Sequence, residues 1–240
     1  MIAKLSLFKQ EKKLIHGSSD KSFGDFRLNN NSNLKNQRIF LQQLAVSQFP
    51  LVWARQVHGN QVALINQTNN KQPINGADGL ISREKNLVLG VRSADCLPII
   101  YFEPKKEIIG IAHAGWRGVL SGLPKEMISI ITSLGGESQN IIIGIGPHIK
   151  ACCYCVDQDI ANQFKKKYSH ARLINRSEKF LLNLAAICQK QFEETGIRKN
   201  HIQISNICTF CQSDQWWSRR RDGENCGNML TVVCQTNDPN

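Results

Sequence analysis

The sequence predicts one α+β domain, and three observations predict it. Strand-sized apolar runs crowd the middle of the chain, at 87–91, 97–102 and 108–112. Stretches with helical spacing are interspersed without the strict alternation of a parallel α/β plan. No internal repeat and no linker composition interrupts the 240 residues, a length that can bury a sizeable core. Apolar residues make up 41% and charged residues 20%, a globular balance and not a disordered one.

The elements follow in order. Residues 17–37 are rich in Ser, Asn and Gly and read as loop. A short amphipathic helix is expected at 39–46. A strand at 61–65 is ended by the polar stretch 66–75. The three central runs are strands, with a hairpin turn at 103–106 that contains Pro104. Val119, Leu123, Met127, Ile130, Ile131 and Leu134 recur at helical spacing, and Gly135 and Gly136 stop the helix. Pro124 suits a first turn, so the regular helix starts near it. A mostly apolar strand at 141–145 runs into Gly146 and Pro147. Two further helices are expected at 157–167 and 181–195, the second capped by Gly196. Late strands are expected at 202–205 and 230–233.

Lys and Arg number 30 against 19 Asp and Glu, a net charge of +11. Such an excess raises nucleic acid, a membrane surface or a phosphorylated small molecule as partner. The basic residues are spread out, with three-residue runs only at 165–167 and 219–221. Trp216 and Trp217 beside the second run are too few aromatics for a single-strand stacking platform. A solvated basic face with no nucleic-acid partner is the expectation. No apolar run approaches the ~20 residues of a spanning helix, so no membrane partner is expected. MIAKLSLFKQEKK at the start has too short an apolar stretch for a signal peptide. The cytoplasm, where thiols stay reduced, is the expected location. The nine cysteines cannot all pair within one chain.

Reactive side chains gather at strand ends, where a rigid sheet can hold a site. RQVHG at 55–59 puts His58 before a strand, and RSADCLP at 92–98 puts Asp95 and Cys96 between two strands. AHAGWRG at 112–118 puts His113 and Arg117 between a strand and a helix. Three readings are open. His, Cys and His are a three-ligand zinc set with a free fourth position, where the ion lowers the pKa of bound water to ~7. A Cys nucleophile activated by a neighbouring His is the second reading. A core thiol and two ordinary histidines are the third. Long sequence gaps do not decide among them.

Other motifs say less. Cys208 and Cys211 form a C-x-x-C, and Cys152, Cys153 and Cys155 a tight trio. Cys152 or Cys155 with Cys208 and Cys211 supplies three of the four ligands of a structural zinc, although incidental thiols are the simpler reading. The nucleobase-deaminase zinc signature is absent. Gly144-Ile145-Gly146 runs into Pro147 and is no dinucleotide motif. Arg92, Arg117, Arg220 and Arg221 carry guanidinium forks suited to phosphate, but each alone reads first as a surface or structural salt bridge.

Taken together, RQVHGNQV, ADGLIS (77–82), SADCLPII, IAHAGWRG, IGPHIKACCY (145–154), RRDG (220–223) and GNM (227–229) fall in the order of the YfiH family. From about residue 50 to 233 the chain resembles these proteins, once labelled laccases and now described as purine nucleoside phosphorylases. The first 50 residues match poorly, with His16-Gly17 at the family's usual start. The resemblance implies a layered sandwich of mixed β-sheet flanked by helices. It implies a zinc ion, with copper as the other candidate, held by His58, Cys96 and His113. It implies phosphorolysis of adenosine, inosine, guanosine and methylthioadenosine, and deamination of adenosine. On that reading Cys96, His113, Arg117 and Asp95 are catalytic, and Arg55, Arg117 and Arg220 contact nucleoside and phosphate. Between proton carrier and turn residue, the turn is the slightly favoured reading of Asp95.

Three positions depart from the family pattern. Cys155 replaces a carboxylate, Asn228 replaces an arginine, and Arg92 stands where a small or apolar residue is usual. The laccase label fails on counting, because copper oxidase centres are histidine-rich and the chain has six histidines. Two other classes stay open: a metal-independent cysteine hydrolase acting on cell-wall precursors, and a nucleoside-binding protein without turnover.

Overall fold

Two sheets lie face to face between helices in the computed structural model, which describes residues 1–27, 33–66, 73–168, 173–176 and 179–237. The first sheet has the order β1 (Ile2–Ala3), β2 (Leu14–Ser19), β15 (Met229–Gln235), β7 (Val88–Ser93), β3 (Leu51–Arg55), β5 (Ile74–Asn75). The second has the order β14 (Ile202–Ile204), β10 (Ile142–Ile145), β8 (Leu97–Glu103), β9 (Ile108–Ala114), β6 (Gly79–Ser82), β4 (Val62–Ile65). Both are mixed: β3 runs parallel to β7 and β4 to β6, while β8 and β9 form an antiparallel hairpin. A small ribbon joins β11 (Cys155–Val156), β13 (Lys179–Leu182) and β12 (Leu173–Arg176). The helices are α1 (Asn33–Gln43), α2 (Trp116–Ser121), α3 (Leu123–Ser133), α4 (Gln158–Lys167), α5 (Leu184–Glu194) and α6 (Arg219–Asp222).

The period-two alternation of strands explains the layers. Leu80, Ile100, Phe102, Ile109 and Ile111 of the second sheet meet Val52, Leu89, Val91 and Val233 of the first. Their neighbours Ile81, Ile99, Tyr101 and Ala112 turn the other way, toward Met127, Ile131, Ile187 and Phe192 of α3 and α5. Val88, Leu230, Val232 and Cys234 face Phe40 and Leu41 of α1. Both faces of the central strands are therefore buried, which is why they read as continuous apolar runs. Two glycines set the depth of α3. A Cβ at Gly79 would lie 2.6 Å from the Met127 sulfur, and one at Gly110 2.9 Å from its methyl carbon.

Several expectations change. Residues 17–19 are strand, because Gly17 and Ser18 pair with Val232 and Thr231 of the distant β15. The helix expected at 39–46 is α1, which starts at Asn33 and ends before Leu44. The helical spacing over 119–134 covers two helices that meet at Gly122, whose φ of +95° ends α2, and the regular helix starts near Pro124 as expected. Pro124 sits in the first turn of α3. The helix expected from 181 starts at Leu184, capped by the Asn183 side chain, and Lys179–Leu182 is strand. Most of the stretch 66–75 lies outside the described residues, as does His170; its end, Ile74–Asn75, is β5. Among the described residues no helix is long and apolar enough to cross a membrane.

Candidate active site

Three loops converge at one end of the two sheets. His58 follows β3, Cys96 lies between β7 and β8, and His113 is near the end of β9. One donor atom from each of the three lies within 4.8 Å of the others. The His58 and His113 rings meet edge to face, with centroids 4.8 Å apart. His113 is buried and His58 exposed, so the group is open on one side.

Asp78 holds this arrangement, and sequence reasoning missed it. It has no exposed surface. Its carboxylate accepts the N–H groups of Val57 at 3.1 Å, His58 at 3.0 Å and Gly59 at 2.8 Å. It also lies 3.0 Å from His113 Nδ1, which leaves Nε2 to face Cys96. Successive N–H groups curled around a carboxylate explain how His58 keeps a φ of +61°. Burial pushes the Asp78 pKa up, but the bonds from His113, Gly59 and Val57 outweigh it and hold the group below its usual range. A carboxylate behind a ligating histidine fixes the ring and its tautomer. The signal was present in ADGLIS.

Electrostatics in the group favour a thiolate. Burial raises the Cys96 pKa, but His113 and His58 on either side outweigh it and bring the thiol to about 6. Burial lowers that of His113, while the Cys96 sulfur and Asp78 raise it by more. Gly115 makes the packing possible: a Cβ there would stand 3.1 Å from the Cys96 sulfur and 3.4 Å from the His58 ring.

Two cavities of about 520 and 550 Å³ meet at His58, Cys96 and Arg117. Arg117 is exposed, lies 4.3 Å over the Trp116 ring, and has no carboxylate partner among the described residues. Arg220 lines the first cavity, stacked 5.1 Å from Tyr154. Arg92 lines the second; its Nη2 donates to the Ala54 carbonyl at 3.0 Å, and its buried Nη1 has no hydrogen-bond partner. Burial and the charge of Arg55 lower Arg92 to about 10. Arg55 itself ends β3 outside the lining of both cavities. Arg221 is spent on the Thr209, Phe210 and Trp216 carbonyls and on Asp222. Cys155 lines the first cavity, and Asn228 and Arg27 the second.

Asp95 lines the first cavity, but its carboxylate points into a net of donors. It accepts from Thr209 Oγ1 at 2.6 Å, Ser218 Oγ at 3.0 Å and the Arg220 N–H at 2.7 Å. Its φ of +92° is costly for a residue with a Cβ, and these bonds offset the cost. Trp216 is buried and Trp217 packs on Gly227, so neither stands free as a stacking face.

Residues 21–236 match the family described as multi-copper polyphenol oxidoreductase laccase. The chain belongs to this family. Among relatives of this laccase-like family, the purine nucleoside phosphorylase YlmD of Geobacillus stearothermophilus is 30% identical over 215 residues, covering 83% of this chain and 77% of YlmD. The crystal structure of that YlmD superposes with a TM-score of 0.88 at 26% identity, over 93% of this chain and 92% of YlmD. An adenosine deaminase, RL5, of an unknown prokaryotic organism is 28% identical over 202 residues, covering 80% and 77%. The fold is also that of YfiH from Bacillus licheniformis, with a TM-score of 0.91, 23% identity, and 98% and 96% of the chains covered. YlmD and RL5 carry the names of enzymes. Among the described residues the groups that could hold a metal are His58, Cys96 and His113, and a set of four cysteines; two imidazoles and a thiolate suit zinc and copper alike.

Proposed function

We propose that this chain is a zinc-dependent purine nucleoside phosphorylase that also deaminates adenosine. The observation that carries the reading is the His58, Cys96 and His113 group opening onto arginine-lined cavities. The names of YlmD and RL5 support it. The donor set fits the ion: two imidazoles, a thiol brought to about 6, and a buried carboxylate behind one ring. When bound, zinc supplies Lewis acidity toward a substrate oxygen.

The chain's own residues do the rest. Cys96 gives up its proton before the ion binds, and Asp78 keeps the His113 Nδ1–H donating so that Nε2 is free. Arg117 and Arg92, neither of which has a carboxylate partner among the described residues, hold phosphate in the second cavity. In phosphorolysis phosphate attacks the ribose carbon while the purine leaves with the bonding pair and takes up a proton. Arg220 contacts the nucleoside from the first cavity, and Asp95 acts as a positioning residue that fixes both Arg220 and the Cys96 loop. In deamination water adds to the purine carbon that bears the amine and ammonia leaves, so that a carbonyl takes the amine's place.

A second reading keeps one observation in its favour. Asp78, His113 and Cys96 are aligned as orienter, base and thiol, as a metal-independent hydrolase requires. One assay separates the two. Purified protein is analysed for metal and incubated with adenosine and phosphate. Ribose 1-phosphate and adenine are expected, with turnover lost on chelation and with both metal and turnover lost in Cys96→Ala. Full turnover by metal-free Cys96→Ala protein would overturn the phosphorylase reading. Protein purified without metal and without turnover of adenosine would favour the thiol enzyme.

A further inference from the structure

Four thiols gather behind the first cavity, in a place the proposed reaction does not use. Cys152 and Cys153 lie in the turn that follows Lys150, and Cys208 and Cys211 in a second turn. The four sulfur atoms all lie within 4.8 Å of one another. Cys152 is 3.8 Å from Cys208, 3.7 Å from Cys211 and 3.6 Å from Cys153, and Cys153 is 3.2 Å from Cys211. No pair is bonded. Four sulfurs at the Zn–S distance of about 2.3 Å around one tetrahedral centre stand about 3.8 Å apart. Three of these separations match that edge, and the cage is too tight for a cluster of several irons.

The surroundings of Cys208 suit a thiolate, while burial and the neighbouring sulfurs raise Cys152 and Cys153, so those two thiols deprotonate only as an ion binds. The Cys208 sulfur accepts N–H groups from Lys150 and, inside its own C-x-x-C turn, from Phe210 and Cys211. Backbone donors of this kind hold a ligating sulfur in place. Cys208 is buried while Cys152 and Cys211 are exposed, so an ion can enter from solvent. Cys155 stands apart, paired with Leu181 in the small ribbon.

We propose that Cys152, Cys153, Cys208 and Cys211 form a second metal site, an all-thiolate tetrahedron for a single divalent ion of the zinc class. Binding exchanges the thiol protons, released to solvent, for four metal–sulfur bonds. The ion ties two segments that frame the first cavity. Tyr154 and Cys155, which line it, follow Cys153 directly. Thr209, which lies inside the C-x-x-C, holds Asp95. The role is structural, and it stands or falls separately from the phosphorylase reading.

Cobalt titration of reduced, metal-free protein tests it. Wild type is expected to take up two equivalents. Cys96→Ser, which removes the only thiolate of the first group, is expected to keep one equivalent with strong thiolate-to-cobalt charge-transfer bands. The double variant Cys153→Ser/Cys211→Ser is expected to lose that equivalent and keep the other. A Cys96→Ser protein without thiolate charge transfer would overturn the proposal. So would a double variant with unchanged stoichiometry, or wild type purified without metal and with these cysteines joined as disulfides. If the double variant does not fold, the Cys96→Ser titration decides alone.

Discussion

Asp78 is buried, charged and bonded to two loops at once, so its removal is felt at both. Asp78→Asn keeps the volume but cannot accept from His113 and three N–H groups as well as a carboxylate does. Metal affinity should fall about 10–100-fold, the usual cost of losing the partner of a ligating histidine. Competition against a chelator of known affinity measures this, and unchanged affinity would make Asp78 a scaffold residue only. The thiol of Cys96 makes a separate prediction. Its pKa of about 6 lies below the ordinary 9.0, so the thiolate fraction grows as pH rises through about 6. Alkylation of metal-free protein should level off above about pH 7. A midpoint near 9 would contradict the pairing with His113 and His58. At this scale the grouping of His58, Cys96 and His113 was legible in the sequence because each sits in a motif. Asp78 was not, since an aspartate before a glycine reads as an ordinary turn. Arg55 shows the converse: its motif is intact, yet the strand leaves it outside both cavities.

Elements were legible where a pattern was local. The hairpin of β8 and β9 and the start of α3 at Pro124 follow from alternation and turn chemistry alone. The strand β2 did not, because its backbone partners come from β15, more than two hundred residues away. The ribbon strand β13 merges in sequence with α5, since a four-residue strand carries no period of its own. Helix α3 rests on the sheet through Met127, which fills the space that Gly79 and Gly110 leave. Gly79→Ala should therefore cost about 1–3 kcal/mol by overpacking, and Met127→Ala about 2–5 kcal/mol by leaving a hole. The pair should cost less than the sum, because the new methyl enters the vacated space. Denaturant unfolding of the three variants tests this, and strict additivity would mean that the two positions do not share that space.

At the scale of the whole molecule, acid should loosen the fold through two buried histidines. His16 accepts the Leu5 N–H at 2.9 Å, and His148 Nδ1–H donates to the Gly146 carbonyl at 2.8 Å. Burial lowers both to about 4 from an ordinary 6.5. Between those values the unfolded chain binds more protons than the folded one, so stability falls as pH drops from about 6.5 toward 4. The loss is on the order of a few kcal/mol. Urea midpoints across this range should fall with pH, and less steeply in His16→Gln. An identical slope in that variant would remove His16 from the account.

The position of β15 has a consequence for how the chain is made. It lies between β2 and β7, which are both synthesised long before it. The second sheet needs nothing beyond β14 and can assemble while the later residues are still emerging. The first sheet cannot close until residues 229–235 leave the ribosome, and until then two strand edges stand open to any passing chain. Slow production, or a stop just short of Met229, should therefore yield a half-built protein prone to aggregation, with the His58 and Cys96 loops already present and one wall missing.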